Sequence, residues 1–381
     1  MVKTLEIQLQ QILPKPSQIS NDIEKFTLSE YKIAINTVLQ ELTRYPGICF
    51  IGQFGSINTP GVSDIDLLIV TEDHCYQSLC DASLQIIKEI PGGAYLFWHP
   101  PMVIPLSLLS ACDILHSLSN LELLWGNESI MGQLVKPSHS VTFINTMVWN
   151  SYFWRTVLRL RGRQLGLRSI LLILGNVIQS IAADYRLLGE FTKSQDILKW
   201  GKEARGEILV RPLGKQEEHA IDYLSTAIQK WVEADWGIQD LWTQKKLFSQ
   251  GSYTGDDIFI GRKTYITFLH KKGIHSNERV HLSQLLKDCW RKSIGVEVFA
   301  LPSFYIEIAM LLYTAFRPGL TSALFKETRR SANFSLDDDL TKEVISYRTA
   351  IEKVRQFSKT QGNNELLMFS HPFVLPFGLL I

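Results

Sequence analysis

The stretch FGSINTPGVSDIDLLIV, Phe54 to Val70, constrains the fold more than any other part of the chain. Its second half, Asp64 to Val70, has the branched aliphatic content of a buried strand, yet two aspartates stand at its mouth. On a strand, residues two apart leave the same face, so Asp64 and Asp66 project together while Ile65, Leu67 and Ile69 occupy the other face. A carboxylate taken out of water is costly, and two side by side repel each other. The pair therefore requires a cation. Just upstream, Ile48 to Phe54 reads as a partner strand ending in Gly55-Ser56, and Ile57 to Ser63 is rich in turn formers.

Around this pair the chain reads as a compact unit. Tyr31, Ile35, Val38, Leu39 and Leu42 recur at helical spacing between Ser29 and Arg44, with Ser29 as the expected cap. A second helix is expected from an Asp73 cap to about Ile90, with Tyr76, Leu79, Cys80, Ser83, Ile86, Ile87 and Ile90 on one side. A third strand at Ala94 to Trp98, a helix around Leu108 to Leu118 and a fourth strand at Leu121 to Trp125 follow. From Val141 onwards long helical segments take over: Val141 to Leu165, Ser169 to Leu188 and Glu217 to Trp236, with Gly162, Gly166 and Gly175 as interruptions. Beyond these lie one strand-like piece, Ile258 to Leu269, a buried helix within Val298 to Phe316 and a charged helix from Leu340 to Phe357. The expected class is α/β (α+β): a small mixed-sheet core followed by a mainly helical C-terminal region. Its divisions are an N-terminal helical segment (1–45), the core (46–138), a helical domain (139–250) and a mostly helical C-terminal region (251–381).

Five cysteines without C-x-x-C spacing suggest neither a disulfide framework nor a zinc cluster, and a reducing cytoplasm fits them. The opening MVKTLEIQLQQILPKP has no continuous apolar core of the kind a signal peptide needs. No membrane association is expected, because Pro302 and Glu307 break the longest apolar stretch. Charge is unevenly spread. Residues 1–140 carry 7 Lys and Arg against 14 Asp and Glu, net −7, which leaves 32 against 24, net +8, of the chain totals of 39 and 38. An acidic head thus precedes a basic tail, the asymmetry expected of a metal-binding half and an anion-binding half.

The chemistry these residues suit is metal-assisted work on phosphate. Mg²⁺ (or Mn²⁺) is the natural partner for paired carboxylates, Gly55 removes a side chain where phosphate must approach closely, and Ser56 offers a hydroxyl and a backbone N–H. Gly-Ser, seven residues and then DIDLLIV resembles the signature of the DNA polymerase beta-like nucleotidyltransferase superfamily, over Ile48 to Val70 and more loosely to Gly126. The resemblance implies that Gly55 and Ser56 hold the triphosphate and that Asp64 and Asp66 are catalytic and bind the metal. It also implies transfer of a nucleoside monophosphate from an NTP to an acceptor, pyrophosphate release, and two metal ions that serve the attacking and departing oxygens.

Members of that family that turn over supply a third carboxylate from a later strand. Here AYLFWHP offers no acid; His99 is a substitute ligand or base or a packed structural residue, and Asp113 and Glu122 are the nearest alternatives. Arg155, Arg159 and Arg163 are spaced four apart, joined by Arg161 and Arg168, in a stretch without acids from Val141 to Ala183. On one helix face such a stripe either clamps a triphosphate, Arg159 and Arg163 foremost, or forms a solvated basic face. A second Gly-Ser, Gly251-Ser252, lacks the alternating acids on a strand and reads as a turn. The leading expectation is an Mg²⁺-dependent nucleotidyltransferase acting on a small molecule or protein. Near-neutral total charge disfavours long nucleic acid, though a tRNA end or oligonucleotide stays open. The rivals are a catalytically degenerate member that binds nucleotide or a partner, and an RNA- or protein-modifying toxin–antitoxin or defence component.

Overall fold

The computed structural model describes residues 13–111, 121–134 and 164–244, the short pieces 253–255, 258–260, 265–268, 300–302, 352–354 and 356–360, and residues 146, 157, 160, 346, 349 and 350. The protein is of the α+β class, with a small mixed sheet near the N-terminus and long helices after it. Its contacts divide it into two units: residues 23–145 with 345–375, and residues 1–22 with 146–344 and 376–381.

The first unit opens with helix α1 (Leu28–Leu42), which Thr27 caps rather than Ser29. The Thr27 hydroxyl accepts from the Glu30 amide at 3.3 Å while the Glu30 carboxylate accepts from the Thr27 amide at 2.6 Å. That reciprocal pair satisfies two helix-end donors at once, which a cap at Ser29 would forgo. Strands β1 (Ile48–Phe54) and β2 (Asp66–Thr71) pair antiparallel, with Phe54 opposite Asp66. Helix α2 (Tyr76–Glu89) follows a 3₁₀ turn, Asp73–Cys75. Asp73 does not cap α2; its carboxylate accepts from the Ser107 amide at 3.1 Å.

The expected strand at Ala94 to Trp98 is not one. Gly93–Leu96 forms a single helical turn entered through Gly92 at φ +71°, and the strand lies further on, as β3 (Met102–Pro105). All four residues of β3 are buried, so it has no alternation to read; it pairs parallel with β2, Leu68 against Met102. Strand β4 (Glu122–Gly126) pairs antiparallel with β1, giving the order β3-β2-β1-β4. Of the helix expected at Leu108 to Leu118, residues 112–118 lie outside the described residues, and Leu106–Leu108 are a 3₁₀ turn.

One sheet face is covered by α1 and α2. Tyr31, Val38 and Leu42 meet Ile51, Leu67 and Ile69 there, with Leu79, Ile86 and Ile87 completing the layer. The late helical residues close the same core: Phe357 packs against it and makes an edge-on contact with Tyr76, ring centroids 5.5 Å apart. The loop before Asp64 is pinned by two phenols. Tyr31 donates to the Ser63 carbonyl at 2.5 Å and accepts from the Gly61 amide at 3.2 Å, while Tyr95 donates to the Gly61 carbonyl. Removing a buried hydroxyl with two partners leaves both unsatisfied. Tyr31→Phe is therefore expected to lose about 1–3 kcal/mol in urea unfolding. A change within measurement error would show that the phenol does not hold this loop.

The second unit contains helices α3 (Leu167–Leu187), α4 (Phe191–Val210) and α5 (Lys215–Gln244). α4 has no counterpart among the helices expected from sequence. Its buried stripe is Ser194, Ile197, Gly201, Ala204 and Ile208, too small and too polar to mark an apolar periodicity. Gly201 exists for contact: a Cβ there would lie 2.3 Å from Ile178 Cδ1 on α3. Gly175, read as an interruption, sits within α3, where a Cβ would meet the Arg205 guanidinium of α4 at 3.2 Å. By length and composition α3 is long and apolar enough to cross a membrane; Leu167, Ile170, Leu171, Leu174, Val177 and Ile181 are all buried inside the protein. Most of the helix expected over Val141 to Leu165 lies outside the described residues, whereas Ile19–Ser20 pairs parallel with Leu165–Gly166.

Further on, β5 (Tyr253–Gly255), β6 (Ile258–Ile260), β7 (Tyr265–Phe268) and β8 (Ala300–Pro302) form an antiparallel sheet in the order β8-β7-β6-β5. The single strand-like piece expected at Ile258 to Leu269 is two strands, and Ala300–Pro302 is a strand where a helix was expected.

Candidate functional site

Asp66 opens β2, and Asp64 stands just before it. The alternation still holds across that boundary, because Ile65 is buried in the layer under α1 and α2 with Leu67 and Ile69. The Ile65 amide donates to the Leu96 carbonyl at 2.9 Å, which ties the aspartate strand to the helical turn that leads into His99. The consequence is a convergence of three side chains. His99 Nε2 lies 3.4 Å from Asp64 Oδ2 and 3.3 Å from Asp66 Oδ1. One ligand atom from each of the three lies within 4.8 Å of the others. Their side chains are 14–20% exposed, sheltered yet reachable from solvent.

Gly55 completes the rim. It follows β1 with φ +74°, a backbone conformation that costs L-residues roughly 1–2 kcal/mol. A Cβ on Gly55 would lie 2.6 Å from Asp66 Oδ2, so glycine is required twice, for conformation and for space. Asp66 thus presents Oδ1 to His99 and Oδ2 to the Gly55 turn. Ser56 is exposed beside it; its hydroxyl accepts from the Asn58 side-chain amide, and a hydroxyl that accepts still has its own proton to donate.

Electrostatically the pair is uncomfortable. Burial first, and the Asp64 charge second, hold the Asp66 carboxyl well above its ordinary value of 3.8. Burial pulls the His99 imidazole below its ordinary 6.5, against the opposing pull of Asp64. A divalent cation resolves both strains. Octahedral coordination at about 2.0–2.1 Å places neighbouring donors about 3 Å apart. The 3.3 and 3.4 Å separations are close to that spacing, so the residues fit a metal ion.

The other expected participants do not join. Glu122 pairs with Gln53, which in turn pairs with Leu67, so its side chain leaves the sheet face opposite Asp66. Asp113, Arg155, Arg159, Arg161 and Arg163 lie outside the described residues. Arg168 is on α3 with 1% of its surface exposed, and its backbone amide donates to Asp22 Oδ1 at 2.9 Å. Buried in this way, it does not contribute to a basic surface stripe. From sequence His99 reads either as a substitute ligand or base or, beside Trp98 and Pro100, as a packed residue; the structure brings it to the aspartates. A cleft of about 610 Å³ lies past the far end of β2, lined by Asp73, Ser107, Lys353 and Phe357 among others, and none of Gly55, Ser56, Asp64, Asp66 or His99 lines it. In comparisons with protein-family models, curated proteins and solved structures, nothing matches this chain.

Proposed function

We propose that the protein is a metal-dependent nucleotidyltransferase that moves a nucleoside monophosphate from an NTP to a small-molecule or protein acceptor. The observation that carries this reading is the meeting of Asp64, Asp66 and His99 beside a glycine turn where any Cβ would run into the Asp66 carboxylate. In the reaction the acceptor hydroxyl loses its proton to water as its oxygen bonds to the α-phosphorus, the bond from that phosphorus to the bridging oxygen breaks, and pyrophosphate leaves. A bound divalent cation would supply charge neutralisation of the triphosphate and a lowered acceptor pKa, with Asp64 and Asp66 as the residues that would hold it. Gly55 would let phosphate reach the backbone, and the Ser56 hydroxyl, which accepts from Asn58, keeps its proton to donate to it. Asp64 and Asp66 hold the cation, and the layer of Ile65, Leu67 and Ile69 behind them fixes their direction.

Pyrophosphate release with each NTP and Mg²⁺ or Mn²⁺, followed by incubation with labelled NTP and cell extract, tests the reading. Label on a small molecule or protein supports it. Absence of both pyrophosphate and label transfer overturns it. A second reading, nucleotide binding without turnover, is favoured by one observation: among the described residues no third carboxylate joins the pair. Nucleotide binding that protects the fold without pyrophosphate release would select it.

A ligand-dependent stability effect follows from the crowded charges. Metal that binds only the folded chain stabilises it by mass action, about 2.7 kcal/mol at a hundred times the dissociation constant. Mn²⁺ or Mg²⁺ with an NTP analogue is therefore expected to raise the thermal midpoint, and EDTA to reverse the rise. An unchanged midpoint at saturating ion and nucleotide would count against a metal site.

A further inference from the structure

We propose that His99 is the third inner-sphere ligand of the metal, and that this imidazole biases the site toward Mn²⁺ over Mg²⁺. The inference rests on the nucleotidyltransferase reading and deepens it, by saying which of Mg²⁺ and Mn²⁺ the site prefers. Three observations carry it. His99 Nε2 is equidistant, at 3.3 and 3.4 Å, from one oxygen of each aspartate, so an ion held by both carboxylates is within reach of the ring nitrogen. Its approach is set by the fold, since the Ile65–Leu96 hydrogen bond couples the aspartate strand to the turn two residues before the Trp98–His99 step. And Glu122, on the strand next to β1, points to the opposite sheet face, so it does not complete an all-oxygen set.

Ligand chemistry then chooses the ion. Mg²⁺ is hard, dehydrates reluctantly and takes carboxylate, phosphate and water oxygens. Imidazole nitrogen is a better ligand for first-row transition ions than for Mg²⁺, and Mn²⁺, although the weakest binder of that series, is the one that shares the preference of Mg²⁺ for carboxylate oxygens in octahedral geometry. A set of two carboxylates and one imidazole therefore fits Mn²⁺ on all three donors and Mg²⁺ on two. Exchanging the imidazole for an oxygen donor removes the bias.

The test measures Mn²⁺ binding to the full chain by the loss of the free-ion electron paramagnetic resonance signal. Mg²⁺ is added as competitor, with a non-hydrolysable NTP analogue present throughout. Wild-type protein is expected to bind Mn²⁺ with at least a tenfold advantage over Mg²⁺. His99→Asp and His99→Gln are each expected to lower the Mn²⁺:Mg²⁺ affinity ratio at least tenfold, His99→Asp chiefly by improving Mg²⁺ binding. The glutamine variant, neutral and similar in size, keeps the test decisive where the aspartate variant fails to fold. An unchanged ratio in a folded variant overturns the role of His99 while leaving the nucleotidyltransferase reading intact, provided Asp64→Ala abolishes binding of both ions. Binding of neither ion by the wild-type chain overturns both.

Discussion

Asp66→Asn is expected to abolish nucleotide-dependent pyrophosphate release while raising the thermal midpoint of the metal-free protein. The two effects share one cause. Asp66 Oδ1 faces His99 and the carboxyl is crowded by burial and by Asp64, so its charge is costly without a cation and indispensable with one. Loss of a group that merely orients a metal ligand costs 10–100-fold, so loss of a ligand itself is expected to cost at least about 100-fold in turnover. The stability gain has a definite pH dependence. Because the folded-state pKa of Asp66 is raised, its favourable contribution is fully present below the ordinary 3.8 and is lost as pH rises through the higher folded value. In EDTA the variant and the wild type should therefore melt together near pH 3–4, by the titration range of an ordinary carboxyl, and diverge toward pH 8 with the asparagine form more stable. Melting curves of both proteins across that range decide it. An asparagine variant less stable than wild type at pH 8 would mean that Asp66 is already compensated by a group other than a bound ion.

Gly55→Ala should be the second severe change. The added methyl adopts an unfavourable backbone conformation at φ +74° and would stand 2.6 Å from Asp66 Oδ2. The backbone share is about 1–2 kcal/mol. The steric share is relieved by rotating the flexible carboxylate away, which moves its oxygen by about 1 Å to reach ordinary contact distance. A displacement of about 1 Å in a catalytic constellation costs about 100-fold, and that is the expected loss in pyrophosphate release. A double-mutant cycle separates the two shares. Placed on an Asp66→Ala background, where no carboxylate remains to meet, Gly55→Ala should lose only the backbone share of stability. Equal costs on both backgrounds would show that Gly55 serves the turn alone and has no bearing on the aspartate.

The elements that sequence reveals best are those whose packing pattern is written in neighbouring residues. The stripe Tyr31, Ile35, Val38 and Leu42 marks α1, and Ile65, Leu67 and Ile69 mark one side of the aspartate strand, because burial on a single face imposes a period on the residues themselves. β3 and α4 are illegible for the complementary reason. β3 is buried on both faces, so Met102 to Pro105 shows no period, and the prolines at 100, 101 and 105 read as loop. α4 buries Ser194, Gly201 and Ala204, residues chosen to fit the ridge of α3 rather than to avoid water. The apolar stripe of α1 points to a cap at Ser29, two residues late, although Thr27 and Glu30 stand at the capping-box distance.

By itself, the amino-acid order determines that Asp64 and Asp66 leave one side of a strand and that a glycine turn precedes them, since both follow from strand periodicity and chain stereochemistry. Tertiary structure alone decides what meets that pair. It brings His99, 33 residues beyond Asp66, to 3.3 Å, turns Glu122 to the far face and buries Arg168 among helices. The first two outcomes depend on strand order, register and the amide–carbonyl link between Ile65 and Leu96, and the third on helix packing within the other unit, contacts between residues far apart in the chain that no local pattern encodes.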